Sequence, residues 1–73
     1  QSELTAPMPG RIVSLSQAAG ASVEKGEPLV IMEAMKMELT IAAPAAGRVV
    51  AYHCAEGEQV EAGAELVEFE PGE

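Results

Sequence analysis

Apolar residues fall along this chain in short runs that glycines and prolines interrupt, and the runs alternate in the manner of strands. Ser2 to Ala6 reads as a first strand, stopped at Pro7-Met8-Pro9-Gly10, where two prolines withdraw ladder donors and Gly10 permits a turn. A second strand runs from Arg11 to about Leu15, and Ala18-Ala19-Gly20 closes it. Ser22-Val23 is a brief third, and Glu27 or Pro28 to Glu33 is the fourth. Leu29-Val30-Ile31-Met32 and Leu39-Thr40-Ile41-Ala42 flank a polar-tipped stretch, which predicts a hairpin with Met35 and Lys36 at its tip. No stretch sustains a 3.6-residue period, so helix has little place here.

Sliding the chain against itself by 37 residues exposes a gapless internal repeat. Ala6-Pro7 falls on Ala43-Pro44, Gly10-Arg11 on Gly47-Arg48, Ile12-Val13 on Val49-Val50, and Gly20 on Gly57. Val23-Glu24 falls on Val60-Glu61, Gly26 on Gly63, and Leu29-Val30 on Leu66-Val67. Matched glycines mark positions needing positive φ or close backbone approach, and matched aliphatics mark a shared interior. Neither half can bury its apolar face alone. Two copies of a four-strand unit, face to face about an approximate two-fold axis, give an all-β fold: a flattened antiparallel barrel or sandwich of two four-stranded sheets.

Within the second strand of each half, Ile12 pairs with Val49 and Leu15 with Tyr52. A spacing of three breaks strict alternation, so bulges are expected near Val13-Ser14 and Val50-Ala51. The expected core is Ile12, Leu15, Val23, Val30, Met32, Val49, Tyr52, Val60, Val67 and Phe69. Lys36 maps onto position 73, which places the chain end and the hairpin tip at symmetric, opposite ends of the barrel.

Seventy-three residues make one domain, 1–73, that buries only about 60% of its unfolded surface. All twelve acidic residues are Glu, and against Arg11, Lys25, Lys36 and Arg48 they give a net charge of −8. That balance argues against nucleic acid as a partner, since binding it depends on neutralising phosphates. The single cysteine, Cys54, allows no internal disulfide, which fits a reducing compartment, and no Cys/His set has metal-ligand spacing. Tyr52-His53-Cys54 is read as structural, because neighbours on a strand face opposite ways. No apolar run approaches the ~20 residues that span a membrane, and no basic start precedes an apolar stretch. The abrupt ends at Gln1-Ser2 and Pro71-Gly72-Glu73 read as those of a domain from a longer protein.

The tip breaks a local rule, because a two-residue hairpin turn favours Asn or Gly and this one has Met-Lys. Such departures are expected at functional positions, against the alternative of a solubilising turn lysine between filler methionines. Ala34-Met35-Lys36-Met37 resembles the attachment tetrapeptide of biotin carboxyl carrier domains. Ala6-Pro7-Met8-Pro9-Gly10 and the Gly-x-x-Val-x-x-Gly-x-x-Leu segments extend that resemblance from about Leu4 to Phe69.

The resemblance implies a flattened barrel with biotin joined as an amide to Lys36, and a role for Met35, Met37 and Ala34 as its flanking motif. It implies a non-catalytic carrier. The carrier would take a carboxyl group from a biotin carboxylase site to a carboxyltransferase site, after a biotin protein ligase had loaded it. Ser16 to Ala21 leaves no room for the protruding insertion of some bacterial acetyl-CoA carboxylase carriers. The nearer resemblance is therefore to the carboxyl-terminal domain of an acyl-CoA carboxylase α-subunit, such as the methylcrotonyl- or propionyl-CoA types, with acetyl-CoA a further acceptor that the resemblance implies. Such a domain is expected to be monomeric when isolated, and cytoplasmic in a bacterium or in the mitochondrial matrix of a eukaryote. Two alternatives stand beside it: a lipoyl carrier of a 2-oxo acid dehydrogenase, which usually has Asp-Lys-Ala or Asp-Lys-Val at the tip, and an unmodified barrel serving as an interaction module.

Overall fold

Glycine and proline punctuation cuts the chain into eight strands, which a computed structural model describes over residues 2–72. They are β1 (Ser2–Thr5), β2 (Gly10–Leu15), β3 (Ser22–Val23), β4 (Pro28–Ala34), β5 (Met37–Ala42), β6 (Gly47–Tyr52), β7 (Gln59–Val60) and β8 (Glu65–Pro71). One sheet has the order β1-β8-β6-β3 and the other β5-β4-β2-β7, antiparallel at every pairing. The all-β fold of two four-stranded sheets is as the repeat predicts. Its assembly differs in one respect: each sheet draws two strands from each half, so the copies interleave instead of facing one another as separate layers.

The repeat extends to individual hydrogen bonds. The amide of Ala6 donates to the Ala64 carbonyl as Ala43 does to Glu27, and Ile12 to Glu58 as Val49 does to Ala21. Gly26 donates to Ala43 as Gly63 does to Ala6, and Gly20 to Val49 as Gly57 does to Ile12. All eight of these bonds cross from one half to the other. Gly20, Gly26, Gly57 and Gly63 all have positive φ, between 84° and 90°. Glu73, the position paired with Lys36, lies outside the described residues.

Phe69, Ile12, Leu29, Met32, Leu66, Val30, Val49 and Val67 are the largest fully buried side chains. Each such burial stabilises by about 1.5–3 kcal/mol. Alternation fails at one pair of places that the spacing of apolar residues does not predict. Pro28 pairs with Ala42 and Val30 with Ile41, which leaves Leu29 an extra residue; Leu4 pairs with Val67 and Thr5 with Glu65, which leaves Leu66 extra. These irregularities turn consecutive residues inward and bring Leu29 and Leu66 into the core, where strict alternation does not place them. Ala6 and Ala43 are buried as well.

The other pair of bulges lies where the spacing predicts, with Val13 extra between Ile12 and Ser14, and Val50 extra between Val49 and Ala51. Leu15 and Tyr52 do not reach the interior, however, and pack half-buried against its edge. The reason at Tyr52 is polar. Its hydroxyl donates to the Leu29 carbonyl at 3.0 Å and accepts from the Gln17 amide at 3.3 Å, and so stays at the rim to clip the loop after β2.

Burial raises the Tyr52 hydroxyl above the ordinary tyrosine pKa, and the Gln17 hydrogen bond partly offsets the rise. The folded state thus holds this proton more tightly than the unfolded chain. Its contribution to stability is complete below the ordinary tyrosine value and is lost as pH rises through the folded one. Tyr52→Phe should cost about 1 kcal/mol at neutral pH and flatten the alkaline decline in urea midpoint.

Gly26 and Gly63 have φ of 88° and 84°, and a Cβ at either would meet nothing within 4 Å. The penalty for alanine is therefore conformational and should be matched, at about 1 kcal/mol or more for each. Urea denaturation of Gly26→Ala and Gly63→Ala checks this, and two neutral results would remove the basis for paired turns.

Candidate functional site

The hairpin of β4 and β5 pairs Ala34 with Met37, Glu33 with Glu38, Met32 with Leu39 and Ile31 with Thr40. That register leaves Met35 and Lys36 as a two-residue loop. Their φ angles are 52° and 66°, among the described residues the only non-glycine ones in the left-handed region. Positive φ at both central residues is what a type I′ hairpin turn requires, and side chains there cost about 1–2 kcal/mol each. Packing beneath the tip holds the turn: Met32 is fully buried, and Leu39 and Ile41 pack against the core.

Met35 is 82% exposed and Met37 56%, so neither acts as core filler. Lys36 is exposed between them and has no hydrogen bond or ion pair among the described residues. Ala34 is different. At 4% exposure it is buried at the root of the turn, so of the flanking residues only the methionines can touch another molecule.

The charges near the tip are arranged in a row. Glu33 and Glu38 face each other across the hairpin, a like-charge pairing that weakens it slightly. Arg11, opposite Glu33 on β2, places Nη2 3.4 Å from the Glu33 carboxylate. Gln59 of β7 lies beyond Arg11. Both partners of the Arg11–Glu33 pair are about half exposed, so it orders the row more than it stabilises the fold. Pro9, Gly10, Arg11, Glu33, Ala34, Met35, Lys36 and Gln59 together border a shallow, open cleft beside the lysine.

The two-fold mate of this cleft is bordered by Ser22, Gly47, Arg48, Glu70, Pro71 and Gly72. It repeats the ion pair, Arg48 to Glu70 at 2.8 Å, and the two clefts share no residue. Gln59 was not among the residues that sequence reasoning brought to the tip. It belongs to the other half and arrives there only because β7 crosses into this sheet.

Lys25 lies in the turn between β3 and β4, without a projecting hairpin. Cys54 is half-buried and donates from Sγ to the Leu66 carbonyl at 3.7 Å; burial pushes its thiol pKa up, and Glu58 adds to the rise. No group of three or more potential metal ligands occurs among the described residues. The site can thus present a primary amine on an exposed, projecting tip. No side chain among the described residues is hydrogen-bonded to that amine. An exposed amine with no partner fits the attachment of a small carboxylic acid as an amide.

A family profile described as biotin-requiring enzyme matches residues 2–69. Methylmalonyl-CoA decarboxylase subunit gamma of Veillonella parvula is 60% identical over 37 residues, which are 51% of this chain and 29% of that subunit. Among solved structures, a single-chain, multi-domain long-chain acyl-CoA carboxylase aligns with a TM-score of 0.90 at 35% identity, covering 97% of this chain and 7% of that one. The lipoyl domain of the 2-oxoglutarate dehydrogenase complex from Azotobacter vinelandii aligns at 0.83 with 25% identity, covering 96% of this chain and 98% of that one. The chain thus corresponds to a small part of the first two proteins and to nearly all of the third.

The strain at the tip is open to measurement. Asn tolerates the left-handed region without glycine's freedom in the unfolded state, so Met35→Asn should stabilise by about 1 kcal/mol. A raised urea midpoint with an unchanged slope is the expected result.

Proposed function

The chain belongs to the family of biotin-requiring enzymes, and from that premise we propose that it carries biotin as an amide on Lys36 and shuttles a carboxyl group between two sites of a larger enzyme. The observation that carries this reading is the tip itself, an unpartnered amine on a turn whose two residues both have positive φ. When bound, biotin supplies a ring that accepts and releases a carboxyl group, and the protein supplies position. Lys36 contributes the amine and a long flexible stem. Met35 and Met37 offer an adaptable apolar surface on either side, suited to a ligase and then to the two enzyme sites.

The barrel's part is preorganisation. A disordered lysine would reach each partner in many geometries and lose ordering entropy on binding, whereas the hairpin presents one geometry. Tethering to a parent enzyme adds effective concentration, up to ~mM for short flexible links. The implied partners are a biotin protein ligase, a biotin carboxylase and a carboxyltransferase. An acyl-CoA acceptor of the acetyl, propionyl or methylcrotonyl kind is the reading we favour, supported by the likeness to an acyl-CoA carboxylase over 97% of this chain.

A lipoyl carrier is the second reading, favoured by the TM-score of 0.83 against a lipoyl domain. The fold is common to both. What separates them is the tip, where methionine stands on both sides of Lys36 and the lipoyl pattern of Asp before and Ala or Val after is missing.

Coexpression with a biotin protein ligase should add one biotin to the intact mass, and peptide mapping should place it on Lys36. Lys36→Arg should be blank and Lys25→Arg labelled like the parent; biotin on Lys25 would defeat the assignment. Loss of one ammonium takes the net charge from −8 to −9, so the two forms should separate on a native gel while their thermal melts superimpose.

A further inference from the structure

We propose that Gly10 is a positioning residue for Lys36: its missing Cβ lets β2 close against the root of the hairpin and so sets where the modified lysine projects. The inference rests on the reading of Lys36 as the attachment site. Gly10 is buried, and its φ lies outside the left-handed region, so backbone freedom does not explain a glycine here. Space does. A Cβ on Gly10 would lie 2.5 Å from the Glu33 carbonyl oxygen, 2.8 Å from Met32 Cε and 3.0 Å from Ala34 Cβ.

Met32 Cε is the end of a flexible side chain and can yield. The Glu33 carbonyl and the Ala34 methyl cannot yield without carrying the backbone with them. Those residues are the last two before the Met35-Lys36 turn, and the turn has little independent stability because both its residues are strained. Interiors are close-packed and transmit such displacements, so a shift at Glu33–Ala34 becomes a shift of the tip. The cleft beside Lys36 would change with it, since Gly10, Glu33 and Ala34 all border it.

The two-fold axis supplies a matched comparison. Gly47 is the mate of Gly10, and a Cβ there would collide with the Glu70 carbonyl oxygen and lie 2.8 Å from Pro71 Cα. The steric logic is the same, and Arg48 lies opposite Glu70 as Arg11 lies opposite Glu33. The difference is what lies beyond the collision. At Gly47 it is Pro71 and Gly72, with no lysine among the described residues.

The test compares Gly10→Ala with Gly47→Ala in the 73-residue chain, both assayed where urea titration shows them folded. With ligase, biotin and ATP, Gly10→Ala should lower kcat by about tenfold or more with KM little changed, and Gly47→Ala should stay within about twofold of the parent. Equal effects of the two substitutions, or a Gly10→Ala labelled at the parent's rate, would overturn the proposal. Ala34→Val pushes on the same contact from the hairpin side and is the second arm if Gly10→Ala does not fold. Slow labelling of folded Ala34→Val supports the proposal, and labelling at the parent rate overturns it. Amide chemical shifts of Met35 and Lys36 give a readout independent of biotin: they should move in Gly10→Ala and hold in Gly47→Ala. A parent chain left unlabelled at Lys36 would sink the carrier reading alone, and the shift comparison would still decide the role of Gly10.

Discussion

Everything in this molecule depends on the exchange of short strands between its halves. β3 from the first half completes the sheet of β1, β8 and β6, and β7 from the second completes the sheet of β5, β4 and β2. These two edge strands are two residues long, and each inserts one valine, Val23 or Val60, into the common core. Hydrogen bonds flanking them cross between the halves in matched pairs, such as Ile12 to Glu58 and Val49 to Ala21. A half-chain would keep its apolar residues but lose the strand that covers them, and its core would be too small to offset the entropy of ordering. Stability is therefore a property of the whole chain, although the sequence is built as two copies.

That shared stability is what lets the tip hold an unfavourable conformation. Two residues in the left-handed region cost together a few kcal/mol, a large share of what a domain this size has to spare. The ladder beneath them and the buried Met32, Val30 and Leu29 of β4 supply the offset. Glycine or asparagine would make the turn at lower energy, but a methionine at Met35 keeps a large apolar surface exposed beside the lysine. The 82% exposed methionine is thus where the turn departs from the residues that would make it most stable.

The repeat made the fold legible without any structure, because gapless matches at Gly10/Gly47, Gly26/Gly63 and Val23/Val60 imply equivalent environments. The bulges at Val13 and Val50 followed from a spacing of three. What alternation could not show was the second irregularity in each half, which turns Leu29 and Leu66 inward; consecutive apolar residues look the same whether one or both are buried. Leu15 and Tyr52 were placed too deep for a related reason, since a phenol that hydrogen-bonds to Leu29 and Gln17 is held at the rim. At the site, the strained lysine turn was visible as a broken rule. The burial of Ala34 and the arrival of Gln59 were not, because both depend on which strands become neighbours.

The approximate two-fold symmetry also separates what the scaffold needs from what function needs. Where both halves keep the same feature, stability explains it: the positive-φ glycines, the close approaches at Gly10 and Gly47, and the ion pairs Arg11–Glu33 and Arg48–Glu70. Where the halves differ, the scaffold offers no reason. At one pole the strand continues through Met35 and Lys36 into β5; at the other, Pro71 leads to Gly72, and the described residues end. A feature can belong to both categories when a shared contact lies beneath an unshared one. Gly10 is such a case, because the close approach it permits is common to the two poles while the lysine turn above it is present at only one.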